Sequence, residues 1–281
     1  MIWRAGSLEI DLSRPRIMGI LNITPDSFSG SGRQPSLFEA ARRAERMIAE
    51  GVDVIDVGGE STRPGSEPVS ADQERLRVLP VIREIARHGI PVSVDTTKAE
   101  VADAALGVGA VIVNDVTALG DPDMAGVIAR RQAGVVLMHM QGTPRTMQDA
   151  PEYTDLLGEI ASFLERRRGE AENQGVGRDR IVLDPGIGFG KTLDHNLRIL
   201  AGVDAIAALG SPVLIGASRK AFIGRVAEVD DPAGRLAGSL AAAVLARLGG
   251  AVLFRTHDVA ATRQALAVAD AILGARAETN Q

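Results

Sequence analysis

The chain has no cysteine. That excludes a disulfide framework and any thiolate metal site, and it fits a reducing cytoplasm, the expected location. Aromatic residues are only 3% of the 281, and the formal net charge is −5. Nucleic-acid binding wants a basic face with rings to stack on, and neither is present. An anionic ligand must then be held by a local cationic pocket, not by the overall field. Long apolar runs are also missing. The opening "MIWRAGSLEIDLSRPR" holds no stretch of signal-peptide length. No run reaches the roughly 18 apolar residues of a membrane helix. The best candidate, Leu236–Leu248, is broken by Gly238, Ser239 and Arg247.

What is present is 45% hydrophobic and 24% charged residues, enough for a large core. The length suits one α/β barrel, which needs about 250 residues. Eight short apolar runs each end in a polar tip: "RIMGILN", "VDVIDVGGES", "PVSVDTT", "AVIVND", "GVVLMHM", "RIVLDPG", "PVLIGASR" and "AVLFRTH". Continuous Val/Ile/Leu runs suit strands buried on both faces of a parallel sheet.

Between them lie helix signals. Ser36 with Glu39 forms a capping-box pattern, followed by a stripe of Leu37, Ala41, Ala44 and Ile48 and a terminating Gly51. Ser70 with Gln73, Thr97 with Glu100, and Asp231 before Pro232 repeat the start signal. Pro80 should kink or split the second helix. The pattern predicts a single-domain α/β fold, a (β/α)8 TIM barrel; an open doubly wound sheet is the rival. The Gly/Pro/Ser-rich stretches 24–36 and 58–70 follow the first two strands and read as mobile active-site loops.

In a barrel the strand tips converge on one face, which holds the active site. Here that face receives Asn22, Asp95, Asn114, Asp115, Met138, His139, Asp184, Ser218, Arg219, Lys220, Arg255 and His257. Any one of them could be an ordinary cap; the whole set is poorly explained that way. Buried carboxylates such as Asp95 and Asp184 need donors, and a heteroaromatic with an N–H beside an amino group offers two in parallel. Asn114 can both donate and accept. Arg63, Arg219, Lys220, Arg255 and His257 make a cationic set for phosphate. Asn22 and Asp26 offer oxygens to a hard cation such as Mg2+.

The stretch "DPGIGFGKT" resembles a phosphate-binding loop but fails the test. A P-loop needs glycine where Pro185 stands, and the dinucleotide motif needs one where Lys191 stands. His88, His139, His195 and His257 form no zinc motif, and His88 and His195 read as exposed helix residues. Lys220 could in principle form a Schiff base, an aldolase-like alternative that borohydride trapping would reveal.

Taken in order, "GILNITPDSFSGSG", "DVGGESTRPG", "VDTTK", "VNDV", "MHMQGTPRTMQ", "DPGIGFGKT", "GASRK" and "RTHDV" resemble the dihydropteroate synthase family of the folate pathway, over nearly the full chain. The resemblance implies a homodimeric transferase using Mg2+. It joins 6-hydroxymethyl-7,8-dihydropterin diphosphate to 4-aminobenzoate, and sulfonamides enter the same pocket. It implies catalytic roles for Asp95, Asp184, Lys220 and Arg255. The pterin would lie against Asp95, Asn114, Met138, Asp184 and Lys220. The diphosphate would meet Arg63, Asn22, Arg255 and His257, with Asn22 on the metal. Phe28, Thr62, Arg63, Pro64, Phe189 and Ser218 would shape the 4-aminobenzoate pocket. One departure is Ser29-Gly30-Ser31-Gly32, where the family often has Asp-Gly-Gly; "STRPG" and "MHMQGTPRTMQ" are kept, so drug sensitivity is expected. A pterin-binding methyltransferase barrel is the alternative, and retention of the cationic residues argues against it. The apolar last helices are candidates for subunit contact.

Overall fold

The computed structural model of the chain describes residues 1–24, 36–62 and 65–279. Each apolar run becomes a short strand buried along its length, because a parallel strand covered on both faces has no solvent side. The eight are β3 (Arg16–Asn22), β4 (Val54–Gly58), β5 (Val92–Asp95), β6 (Ile112–Asp115), β7 (Gly134–Met138), β8 (Ile181–Asp184), β9 (Leu214–Ile215) and β10 (Leu253–Thr256). They form one parallel sheet in the order β8-β7-β6-β5-β4-β3-β10-β9. The seam between β8 and β9 is closed by a parallel bridge, Leu183 to Val213, and by Leu183 N–H donating to Pro212 O at 2.9 Å. The result is the expected (β/α)8 barrel.

Around it run α1 (Leu37–Ala49), α2 (Ala71–Ala86), α3 (Ala99–Gly107), α4 (Met124–Arg131), α5 (Leu156–Asn173), α6 (Leu193–Ala201), α7 (Val203–Ala207), α8 (Ala221–Ala227), α9 (Leu236–Leu248) and α10 (Val259–Thr279). The Ser36–Glu39 capping box is formed, and Ser70 Oγ caps α2 through Gln73 N–H at 3.3 Å. Four local expectations change. The buried stripe of α1 is Ala40, Ala44 and Met47, and Leu37 is 46% exposed. The helix is rotated by one residue, since the small alanines fit against β3 better than a leucine would. Pro80 does not divide α2, which runs unbroken. Its ring sits on the exposed face, where water can serve the carbonyl it leaves unpaired. Nor does Thr97 cap α3: the helix starts after Lys98, and Asp121 Oδ2 from a neighbouring loop takes Ala99 N–H at 2.9 Å. Asp231 caps a short 3-10 turn, Pro232–Arg235, ahead of α9. His88 is exposed as expected, whereas His195 is half-buried and joins Thr192 in capping α6.

An antiparallel hairpin, β1 (Ile2–Ala5) with β2 (Leu8–Asp11), precedes the barrel and was not anticipated. It plugs the amino-terminal mouth. Trp3, Ala5, Ile10 and Leu12 pack on Met18, Val54, Ile112, Val136, Val182, Leu214 and Leu253, the lower interior residues of the strands. The indole N–H of Trp3 donates to Arg180 O at 2.9 Å, so burying the ring leaves no polar group unpaired. The site is thereby confined to the other end.

Candidate active site

Two residues beyond the apolar floor, the same strands turn polar. Side chains at i and i+2 on a strand share a face. Val54, Ile112, Val182 and Leu253 point into the barrel, so Asp56, Asn114, Asp184 and Arg255 do as well. They come from alternate strands, the way a TIM barrel builds its interior layers. Asp56, entirely buried, is the hub. Its Oδ2 accepts Arg255 Nε at 2.6 Å and Asn114 Nδ2 at 3.0 Å, while Arg255 Nη2 donates to Asp95 Oδ2 at 2.7 Å. One guanidinium thus bridges two carboxylates, the fork geometry that suits arginine. Among the described residues its Nη1 has no partner, so most of Arg255 is committed to the barrel. Asp56 was not singled out from the sequence. It lies inside the run "VIDVG" and not at its tip; a carboxylate flanked by buried Ile55 and Val57 was the available signal.

Burial raises the Asp95 pKa to about 7, with Asp56, Glu74 and Asp115 adding repulsion and Arg255 opposing. Burial also raises Asp184, against the Gly186 N–H on its Oδ1 at 2.7 Å and the charges of Lys220, Lys191 and Arg255. Lys220 is pulled down to about 7 by burial. Asp184 and Asp95 attract its ammonium and Arg255 repels it. These mutual fields bring Asp95, Asp184, Lys220 and Arg255 into one cluster, as expected. Asp115 is different: its carboxylate is spent on Thr117 N–H, Thr117 Oγ1 and Leu119 N–H, and it stabilises a turn.

The glycine-rich stretch after β8 is held tight by its neighbours. Gly186, Gly188 and Gly190 have φ of 72°, 81° and 60°, where a Cβ is disfavoured. A Cβ at Gly186 would sit 1.9 Å from His139 O, and one at Gly188 would sit 2.8 Å from Lys220 Cδ. The loop is therefore a wall pressed against β7 on one side and Lys220 on the other. Lys220 Nζ donates to Ile187 O and stands 4.1 Å above the Phe189 ring, a cation–π contact. Lys191 points inward instead, 3% exposed, which disposes of a phosphate-binding role for it.

On the far side, Ser218 Oγ lies 3.0 Å from His257 Nδ1 and accepts His257 N–H at 3.2 Å. Burial, Arg255, Arg219 and Arg43 push the His257 pKa down to about 3. His257 is thus a neutral donor at pH 7, a correction to its place in the cationic set. Arg219, in a left-handed conformation at φ 58°, is locked to Asp258 through Nε and Nη2. It too is structural.

A cleft of about 290 Å³ opens beside the cluster, lined by Glu60, Thr62, Glu74, Asp95, Thr96 and Arg145 among others. Asp95 and Glu74 both line it, and among the described residues Asp95 Oδ1 and Glu74 Oε1 are buried without a donor. Lys98 Nζ ties Glu60 of the loop after β4 to buried Glu74 of α2. Asn22 ends β3, its Oδ1 3.2 Å from where a Gly58 Cβ would be; that same point is 3.7 Å from Asp95 Oδ2. Met138 ends β7, buried, on the interior face of Val136. Asp26, Phe28, Arg63 and Pro64 lie outside the described residues.

A model of the pterin-binding enzyme family matches residues 18–257. The dihydropteroate synthase of Escherichia coli K12 is 45% identical over 273 residues, covering 97% of this chain and 96% of that protein. The chain belongs to the dihydropteroate synthase family. The resemblance carried by the motifs is therefore borne out, and with it the assignment as a transferase. Solved synthases superpose closely. That of Yersinia pestis with a sulfonamide drug has a TM-score of 0.93 at 41% identity, covering 98% of this chain and 100% of that one. That of Xanthomonas albilineans in complex with 7,8-dihydropteroate has 0.88 at 40%, covering 97% and 99%.

Proposed function

We propose that the chain joins 6-hydroxymethyl-7,8-dihydropterin diphosphate to 4-aminobenzoate, giving 7,8-dihydropteroate and diphosphate. The observation that carries this reading is Asp95, a buried residue at the edge of the cleft whose Oδ1 has no donor among the described residues. The pterin edge, with ring N–H beside amino group, supplies what it lacks. The complex of the Xanthomonas synthase with 7,8-dihydropteroate supports the same ligand class.

In this reading Asp95 and Asp184 accept from the pterin. Asn114, its Nδ2 oriented by Asp56, presents its oxygen. Met138 packs on the ring and Lys220 donates on the carbonyl side. The methylene C–O bond breaks with its electron pair leaving on diphosphate, and the arylamine nitrogen bonds to the methylene carbon and sheds a proton. The electron-rich dihydropterin steadies the cationic carbon. Arg255 Nη1, Arg63 and the neutral N–H of His257 hold the departing anion, where preorganised donors act most strongly. Phe189, Thr62, Ser218, Phe28 and Pro64 wall the arylamine and, by the same shape, a sulfonamide; the Yersinia complex supports the second.

Mg2+ is the proposed cofactor. Among the described residues no group of three or more histidine or acidic side chains could hold a metal. Mg2+ takes few protein ligands when phosphate oxygens and water complete its shell. Asn22 would hold it, and when bound it would neutralise charge on the diphosphate.

Lys220, with its pKa near 7, has the property a Schiff-base lysine needs. Family membership weighs for binding instead. A homodimer through α9 and α10 is proposed from Leu245, Leu248, Val268 and Ile272, exposed on two helices that pack together. No described helix is long and apolar enough to cross a membrane, and a cytoplasmic location is proposed. The test is diphosphate release with the pterin ester, with and without 4-aminobenzoate and Mg2+. Turnover requiring both substrates is expected, and none with all components present rejects the reading.

A further inference from the structure

Four consecutive carbonyls in the loop after β8 are each held by a different side chain. Ile187 O accepts Lys220 Nζ, and Gly188 O accepts Gln148 Nε2 at 3.2 Å. Phe189 O accepts Lys191 Nζ at 2.8 Å, and Gly190 O accepts Tyr153 Oη at 2.8 Å. Lys191 differs from the other three in burial and in reach. Its ammonium also meets His139 Nδ1 at 3.0 Å and His139 O at 3.3 Å. Three acceptors surround one nitrogen, and only an ammonium has three N–H groups to give them. Burial pulls its pKa down to about 7, with Asp184 opposing and Lys220 adding repulsion. His139, brought down to about 3 by burial and by Lys191, stays neutral and can accept at Nδ1. The ring is itself fixed edge-on to Phe163, with centroids 4.9 Å apart.

The consequence is geometric. His139 directly follows β7, and its N–H donates to Asp184 O at 2.9 Å, so it moves with the barrel wall. Lys191 transfers that fixed position to the backbone of Phe189, whose ring lies under Lys220. Without Lys191, Phe189 O and two acceptors at His139 would be left buried and unpaired, and the loop would have reason to move. We propose that Lys191 is a positioning residue for the arylamine side of the reaction, setting the height of the Phe189 ring through its bonds to Phe189 O and His139. This rests on the reading above that Phe189 walls the arylamine pocket. The lysine touches neither substrate, and its signature is a selective loss of arylamine affinity.

The experiment is steady-state kinetics of the full chain with both substrates varied, plus sulfonamide inhibition. Lys191→Met should raise the 4-aminobenzoate KM and the sulfonamide inhibition constant together by about tenfold or more, as loss of a charge-assisted bond implies. kcat and the pterin KM should stay within about twofold. Should Lys191→Met fold poorly, His139→Asn and His139→Leu carry the same test. The first keeps an acceptor near Nδ1 and should hold the arylamine KM near wild type; the second should raise it. Equal KM values in that pair overturn the proposal, as does a fall in kcat with both KM values unmoved. Wild-type chain that does not turn over would instead remove the functional reading on which the proposal stands.

Discussion

Val54 and Asp56 stand two residues apart on one strand, facing the same interior, and do opposite work. Below, Val54 belongs to an apolar plug closed by Trp3. Above, Asp56 is buried just as fully and anchors Arg255 and Asn114. The lower half gains stability from burial at roughly 25 cal/mol per Å² of apolar surface. The upper half spends some of it, because buried charges cost more in lost hydration than pairing returns. One barrel therefore separates stability from chemistry by a single step along its strands. Mutations in the two halves should separate in the same way.

The largest effects belong to the upper half. Lys220→Ala should lower kcat/KM by about a hundredfold or more, the scale of losing a preorganised donor. Stability should hardly change, because a buried ammonium is removed with it. Arg255→Ala should lose as much activity and also about 3–5 kcal/mol of stability, since Asp56 and Asp95 are left as uncompensated charge. Turnover assays with urea denaturation of both variants check this. Wild-type kinetics in either would end the assignment. Next comes the lower half. Trp3→Ala should cost about 3–5 kcal/mol with kcat unchanged, since it opens a cavity far from the cleft. A matching drop in kcat would show that the two halves are coupled.

Solution pH probes the upper half alone. The Asp95 pKa is near 7, above the ordinary carboxylate value, so acidification protonates it and it stops accepting as a charge. The Lys220 pKa is also near 7, below the ordinary ammonium value, so alkalinity removes its donor charge. kcat/KM for the pterin ester should trace a narrow bell about neutrality, with limbs near tenfold per unit and apparent values belonging to the coupled cluster. Asp95→Asn should flatten the acid limb and Lys220→Arg the alkaline one. A plateau across pH 6 to 8 would contradict the coupling.

How much of this was legible in the sequence follows the same division. The eight strands and the converging Asp95, Asn114, Asp184 and Lys220 were readable because run and tip are local patterns. The hairpin was not, since its alternation acquires meaning only against the barrel floor. Asp56 was hidden by being inside a run, and the inward turn of Lys191 depends on His139, 52 positions away. The two carboxylate partners of Arg255 were not readable, because they come from other strands. Neutral His257 read as a cation because burial is not written in "RTH". What depends on partners far away in the chain was lost, and what depends on period and tip was kept.

The smallest effect lies on the boundary between the halves. Ser93 faces inward on β5, paired in register with Asp56, and among the described residues its buried hydroxyl has no partner. An unsatisfied hydroxyl contributes nothing to offset its own desolvation. Ser93→Ala should therefore be neutral or stabilising by up to about 1 kcal/mol, with the arylamine KM unmoved. Ser93→Val fills the same space with apolar volume and extends the floor upward by one position. If the boundary is set by Asp56 and not by Ser93, pterin KM stays put while melting temperature rises. If the pterin KM climbs, the hydroxyl belongs to the polar half, and the division runs one residue lower on β5 than on β4.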